Sequence, residues 1–434
     1  MSLLTAADEG RGHRVLEQEP FAGPVAVDQV SLRRSNLSLV LRTLRDTGPR
    51  SRARLAADLG LTKATVSGLV SELVTRGLVS EGPAERGAVG RPGLPVRLEG
   101  RTICGVGAEV NVHHVATMAL DLTGTVVAEH RLSVDTADLD ASAVLDRLAE
   151  LVTATVSDAT GRGADPVALT VGVAGLVDTT HGTVRIGPNL GWRDVPVAEL
   201  LRQRLDVPRL PVLVDNEANL AAVAEVVPGE PSRRDVLVIF GEVGVGGGII
   251  ADGHVLRGSK GYAGELGHMT VDPHGRRCGC GRTGCWETTV GLRALLDAAA
   301  DPDDPVRHPD LALEDRLHEL NRRADLGDTR TLAALEQVGH WVGIGAGAMV
   351  NALNPGAVVL SGYFAEVGRW MLPAVEAALQ EAVLAPDAGG TRVELSTLGF
   401  TAAVRGAATA SLDTVFHDPT SVDRRVAPTI GGNR

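Results

Sequence analysis

His268-Met-Thr-Val-Asp-Pro-His274-Gly-Arg-Arg-Cys278-Gly-Cys280-Gly-Arg-Thr-Gly-Cys285 places three of the chain's four cysteines within eight residues. Cys278, Cys280 and Cys285 with His268 make a Cys₃His set, the donor complement of a closed structural zinc site. Gly279, Gly281 and Gly284 are read as letting the backbone fold tightly enough for three thiolates to converge. A closed site keeps no position for a catalytic water, so a folding role is expected. His274 competes for the fourth place but lies too near Cys278 to be favoured. The alternative is a Gly-rich loop of reduced, unliganded cysteines. Cys104 sits in a strand-like run and reads as plain core.

Around this knuckle the chain is long and aromatic-poor. At 434 residues it exceeds one hydrophobic core, and with 44% apolar but only 3% aromatic residues, Val, Leu and Ala must fill those cores. No apolar run reaches membrane-spanning length, and no apolar segment follows a basic start, so a cytoplasmic protein without a signal peptide is expected. The net charge of −12 argues against nucleic acid until it is divided. Ser31 to Gly100 carries 12 Lys and Arg against 6 Asp and Glu, a +6 module on a body of −18. That asymmetry suits a DNA-binding domain fused to an acidic partner, although a solvated basic face would give the same count.

The basic module carries a pattern of its own. Leu37, Val40, Leu41 and Leu44 form a helical stripe that Gly48-Pro49 breaks. Ser51 caps a short helix with Leu55, Ala56 and Leu59 inward. Gly60 turns the chain, and Thr62 caps a third helix with Val66, Leu69, Val70 and Leu73 inward. Helix, glycine turn, helix is the DNA-reading arrangement in which the second helix's start enters the major groove. Thr62, Lys63, Ala64, Thr65 and Ser67 would face bases or phosphates, with Arg50, Arg52 and Arg54 placed for phosphates. Two short strands, Leu78-Val79 and Val96-Leu98, flank a Gly- and Arg-rich stretch read as a wing, whose Arg86 and Arg91 would reach DNA. A three-helix domain making protein contacts is the competing reading.

From Arg101 strand-like runs alternate with helices, which implies an α/β body. Here the chain resembles the ROK family, which groups bacterial repressors with sugar kinases. The resemblance rests on Gly264-Glu-Leu-Gly-His268 with the cysteine cluster and Cys285-Trp-Glu287, on Gly244-Val-Gly-Gly-Gly248, Val171-Gly-Val-Ala-Gly175, Pro188-Asn-Leu-Gly-Trp192 and Asp215-Asn-Glu-Ala-Asn219. It spans roughly residues 31 to 415. It implies an α/β fold with an N-terminal winged helix-turn-helix (31–100) and a two-lobed, actin-like (ribonuclease H-like) sugar-kinase domain (101–416, zinc loop 268–285). Residues 1–30 and 417–434 are expected to be a disordered arm and tail. It also implies a sugar in the interlobe cleft, held by Asn189, Asn216, Glu217, Glu265, His268 and Glu287, and a homodimer or dimer of dimers.

The kinase branch of the family needs a Gly-rich, Thr/Lys-bearing turn to cradle ATP phosphates. Its place is taken by Glu109-Val-Asn-Val-His-His114, which lacks both glycines and the fixed positive charge. Val243 stands where kinases carry a threonine, Tyr363 is placed to fill the adenine pocket, and Glu217 aligns with the catalytic aspartate. The expectation is a non-enzymatic, sugar-responsive repressor of carbohydrate-use genes bound to operator DNA and a structural Zn²⁺. An active sugar kinase with a DNA-binding appendage, and a regulator with a vestigial cleft, are the alternatives.

Overall fold

The computed structural model describes residues 28–82, 94–136, 139–207, 209–226, 229–230, 233–308, 311–385 and 390–425. Most of the expected N-terminal arm, and the wing segment with Arg86 and Arg91, lie outside them. α1 (Gln29–Thr47) starts where the Asp28 carboxylate accepts the Ser31 amide. β1 (Arg50–Ser51) leads into α2 (Arg52–Leu59), capped by Ser51, and α3 (Lys63–Thr75), capped by Thr62. Gly60, at φ 64°, supplies the left-handed turn between them. β2 (Val79–Glu81) and β3 (Pro95–Leu98) pair antiparallel, and β1 adds to β3's other edge. The two strands expected on either side of the wing are thus present and paired, with a third strand the sequence did not suggest.

Lobe 1 contains β4 (Ile103–Val110), β5 (His114–Asp121), β6 (Val126–Ser133), α4 (Ala141–Gly161) and β7 (Asp165–Val173). A side sheet of β8 (Leu176–Asp178), β9 (Thr183–Gly187) and β10 (Trp192–Val195) follows, then α5 (Val197–Arg204), β11 (Val212–Asn216) and α6 (Glu217–Glu225). Lobe 2 runs through β12 (Val236–Gly241), β13 (Val245–Ala251), β14 (His254–Val255), α7 (Glu287–Val290), α8 (Leu292–Ala299), α9 (Leu313–Asp325), α10 (Thr329–Leu353), β15 (Ala357–Gly362), α11 (Tyr363–Ala382) and β16 (Arg392–Leu395). The sheet orders are β6-β5-β4-β7-β11 and β14-β13-β12-β15-β16. In each, the first three strands form an antiparallel meander and the last two add in parallel. One pattern is thus used twice, as the expected two-lobed fold requires.

The element that joins these units is α12 (Ala402–His417). It is buried on most of its surface, with Arg405, Thr409 and Asp413 along the one partly exposed side. A Cβ on Gly105 would lie 2.4 Å from the Ala408 carbonyl, one on Gly107 2.2 Å from that of Val404, and one on Gly406 1.7 Å from that of Leu220. Three glycines therefore admit α12 between β4 and α6 at backbone contact. At its far end Leu412, Val415 and Phe416 share one core with Leu37 and Leu41 of α1 and with Met118 and Leu120 of β5. The winged helix is thus fused to lobe 1 by apolar contact. Residues 417–425, expected to open a disordered tail, are ordered instead: Pro419–Ser421 forms a 3₁₀ turn, and Arg76 donates to the carbonyls of Thr420 and Val422. Two arginines and a buried carboxylate, Glu72, hold a segment whose composition alone reads as loose. No helix among the described residues is long and apolar enough to cross a membrane.

Candidate functional site

The cysteine knuckle is built by backbone turns. Isolated antiparallel bridges pair Thr270 with Cys285 and Arg277 with Thr283, and the Cys278 amide donates to the Arg282 carbonyl at 2.8 Å. Gly281 and Gly284 have φ of 90° and 74°, and a Cβ on Gly284 would meet the Asp272 carbonyl at 1.7 Å. Gly279 has ordinary φ and open space, so the expectation that the fold requires it does not hold. The donor atoms of His268, Cys278, Cys280 and Cys285 all lie within 4.8 Å of one another. Cys280 Sγ stands 3.6 Å from Cys285 Sγ, and Cys278 Sγ 3.8 Å from His268 Nδ1. His274 is exposed and outside the group. Burial pushes the Cys278 thiol up to about 12, so a cation is what would hold it as thiolate. Soft donors converging in a tight loop can hold a metal ion. Cys104 is buried in lobe 1, apart from the group, as expected.

Beside the knuckle opens an interlobe cavity of about 970 Å³, lined by all six expected sugar ligands. Glu287, at the start of α7, accepts the Val245 amide at 3.2 Å and lies 3.5 Å from Cys278 Sγ. It therefore ties the cysteine loop to the cavity wall. A Cβ on Gly244 would sit 2.5 Å from Glu287 Oε2 and 3.3 Å from Asn189 Nδ2, so glycine there leaves room for both polar ends to converge. Asn216 is largely committed to the protein. Its carbonyl caps α6 through the amides of Ala218 and Asn219, and its amide donates to the Gly175 carbonyl and to Glu217. It positions Glu217 more than it offers itself to a ligand. Burial pushes the Glu217 carboxyl well above the carboxylate range, and the charges of Glu265, Glu109 and Asp215 add to that. A protonated Glu217 can donate as well as accept, which suits a hydroxyl partner. Burial raises Glu265 too, with His268 opposing and Glu287 assisting.

The opposite end of the cavity holds Asn111, Val112, Glu242 and Val243. The β4–β5 turn is closed by Asn111, whose amide donates to the His114 carbonyl, and it carries no fixed positive charge. Burial lowers His113 and takes His114 down to about 4, so both are neutral at pH 7. Glu109 is wholly buried, with neither carboxyl oxygen hydrogen-bonded, and is pushed up to about 8 by burial. Burial also raises Glu242, with Glu109 and Glu217 reinforcing. From sequence Glu109 is only the first residue of the turn that replaces the phosphate cradle, and Glu242 carries no signal; the fold brings both toward Glu217. The glycine run serves packing: Gly246 and Gly248 admit α6, and Gly247 admits Leu266. Tyr363 does not fill a nucleotide pocket; it is fully buried in lobe 2 beside Phe364, and its hydroxyl donates to the Val290 carbonyl.

On the winged helix, Thr62, Lys63, Ala64 and Thr65 are exposed at the start of α3, and Ser67 is half-buried. Arg54 and Arg50 lean on Asp58 at 2.9 and 3.9 Å, weak surface pairs that leave both cations accessible. Arg52 departs from the expected phosphate role. Its guanidinium donates to the Ser67 carbonyl at 2.9 Å and to Glu81 at 2.7 Å, bracing α3 against β2.

Residues 105–413 match the profile described as ROK family, and residues 36–83 the IclR helix-turn-helix domain. The xylose repressor of Bacillus spizizenii is 29% identical over 383 residues, covering 87% of this chain and 95% of that protein. The glucokinase of Halalkalibacterium halodurans is 32% identical over 250 residues, 56% of this chain and 75% of that one. A crystal structure of a ROK family transcriptional regulator, a homolog of the E. coli MLC protein, has the same fold, with a TM-score of 0.73 at 23% identity over 90% of this chain and 98% of its own. The family match runs through both lobes and the knuckle between them: the chain belongs to the ROK family.

Proposed function

We propose that this chain is a sugar-responsive transcriptional repressor of carbohydrate-use genes that binds operator DNA as a homodimer and carries a structural Zn²⁺ in its Cys₃His knuckle. One observation carries the reading. The cavity keeps a hydroxyl-binding wall of Asn189, Glu217, Glu265, His268 and Glu287, while the β4–β5 turn at the place for nucleotide phosphates presents Asn111 and Val112 to the cavity and carries the buried Glu109 and two neutral imidazoles. A triphosphate brought there finds no cation on the β4–β5 turn, only buried groups that are neutral at pH 7, so its charge goes uncompensated and ground-state binding of ATP is unfavourable. The similarity to a xylose repressor and the helix-turn-helix match support the same reading. Sugar bridging the two walls would close the lobes. Because the winged helix shares a core with lobe 1, closure would change the spacing between the two DNA-reading helices of a dimer, and operator half-sites must match that spacing.

The test is fluorescence anisotropy on DNA from the chain's own promoter region, with and without a panel of aldoses. A tenfold or larger change in affinity with one sugar, lost in Glu265→Gln, is the expected result. The glucokinase similarity favours a second reading, an ATP-dependent sugar kinase with Glu217 as base. Steady ADP release with sugar and MgATP would establish that reading and end the first.

A further inference from the structure

A second cavity, about 1040 Å³, lies behind the interlobe cleft, where three bodies meet. α1 of the winged helix supplies Arg42 and Arg45. Lobe 1 supplies the β5–β6 turn and one side of α12, from Arg405 near its start to His417 at its end. Lobe 2 supplies the β13–β14 hairpin and Arg257 beyond it. Its floor is apolar, made by Leu120, Leu122, Leu412 and Phe416.

The charges on this wall are not balanced. Arg45 pairs with Asp413 at 3.0 Å and lies over the Phe416 ring, and Arg257 pairs with Asp215 at 2.6 Å. Arg42 and Arg405 have no carboxylate partner among the described residues. Arg42 reaches only the Ser38 hydroxyl at 3.4 Å, and Arg405 only the Gly124 carbonyl at 3.2 Å. Four guanidiniums and two carboxylates leave the lining cationic. The front cleft is the reverse, with Glu217, Glu242, Glu265 and Glu287 on its walls against Arg193 and Arg282, both exposed. Half-buried guanidiniums facing one cavity without counter-charge repel each other, and an anion between them relieves that repulsion. Arg is the side chain best shaped to grip a phosphate group.

We propose that this rear cavity binds a small phosphate ester of sugar size, its phosphate held by Arg42 and Arg405 and its carbon skeleton on the apolar floor. The unphosphorylated sugar and the phosphate ester would then occupy different sites, one rich in carboxyl groups and the other in guanidiniums. Ester in the rear cavity would tie α1 to lobe 1 at the joint on which the DNA-reading helices ride. The binding claim rests on this cavity alone and stands or falls independently of the repressor reading.

The experiment is isothermal titration calorimetry on the full chain with glucose 6-phosphate and fructose 1,6-bisphosphate, each beside its parent sugar and inorganic phosphate. At least one ester is expected to bind more tightly than its parent sugar and than inorganic phosphate. Arg42→Gln/Arg405→Gln should weaken that binding about tenfold or more, the loss of one charge-assisted hydrogen bond. Arg42→Lys/Arg405→Lys, which keeps the charge, should retain part of it, and both variants are checked for an unchanged melting temperature. Four results overturn the proposal: no ester binding above the parent sugar; equal binding of inorganic phosphate, meaning an adventitious ion only; full ester affinity in the Gln variant; or a Gln variant that loses affinity for a duplex oligonucleotide where no ester binds, which would make these arginines a DNA contact.

Discussion

Gly406→Ala tests the spine of the molecule. The added Cβ would stand 1.7 Å from the Leu220 carbonyl oxygen and 2.5 Å from its carbon. Ordinary contact needs roughly 3.2–3.5 Å, so α12 and α6 must part by about 1.5 Å. The obstacle is backbone, which cannot rotate away as a side chain can. Overpacking of this kind costs about 1–3 kcal/mol, and the upper end applies to a backbone clash. The helix-propensity gain of alanine over glycine, about 1 kcal/mol, offsets part of it. A net loss of about 2 kcal/mol corresponds to a fall of roughly 4–8 °C in the melting temperature, read by differential scanning fluorimetry. Gly68→Ala is the internal control: it is helical, and a Cβ there meets nothing within 4 Å, so the propensity gain should appear undiminished as a slight rise. Leu220 is one turn from Glu217, so Gly406→Ala should also weaken sugar binding although it lies outside the cleft. A melting temperature within 1 °C of the parent chain would refute the backbone contact and the reasoning built on it.

Zinc analysis should find one ion per chain, and Cys278→Ser should lower the melting temperature and weaken sugar binding together, because Glu287 joins the knuckle to the cleft; an unchanged sugar affinity would separate the two. Glu109 supplies a pH test: its folded-state carboxyl lies near 8 and the unfolded one near 4.3, so its contribution is full below about 4.3 and is lost as pH rises through 8, at up to about 1.4 kcal/mol per pH unit. Glu109→Gln should therefore flatten the decline in melting temperature between pH 5.5 and 8.5. His114, taken down to about 4, acts oppositely and costs stability as pH falls from 6.5 towards 4. Lys63→Ala should reduce the salt dependence of DNA binding by about one ion with no change in melting temperature. Arg52→Ala should lower the melting temperature as well as DNA affinity, since it braces α3 against β2.

What could be read from sequence was what is encoded locally. Ser51, Gly60 and Thr62 specify two caps and a left-handed turn by their own chemistry, and the structure follows them residue by residue. The knuckle was legible because thiols at fixed short spacing have few other uses. α12 was not. Ala402–His417 has no single apolar face, since it is buried on most of its surface, and the glycines that admit it lie some 300 residues away in β4. Arg52 and Arg54 look equivalent in sequence; only the fold puts Glu81 and the Ser67 carbonyl on one and leaves the other exposed against Asp58. The same holds for Glu109, whose isolation is a property of its neighbours. Asp418–Arg425 reads as tail because its order comes from Arg76 and Glu72, far off in the chain.

The way the winged helix is attached limits how any ligand can act on it. Leu37, Leu41, Met118, Leu412 and Phe416 belong to one buried cluster, so the DNA-reading module cannot be released from lobe 1 without opening that core. Exposing even a few such side chains costs about 1.5–3 kcal/mol each, well beyond the 1–3 kcal/mol by which effectors usually couple sites. A signal from the cleft must therefore move the module together with lobe 1. The lobes meet where Ala218 and Ala221 of α6 and Ala402 and Ala403 of α12 pack with Phe240 of lobe 2; α12 crosses α6 at backbone contact, and α6 begins at Glu217 in the cleft wall. Displacement of Glu217 by a ligand is thus transmitted by helices that cannot slide past each other without a clash. In the proposed dimer, what would change at the DNA is the position of a rigid head, and the quantity an effector would control is the distance between two such heads.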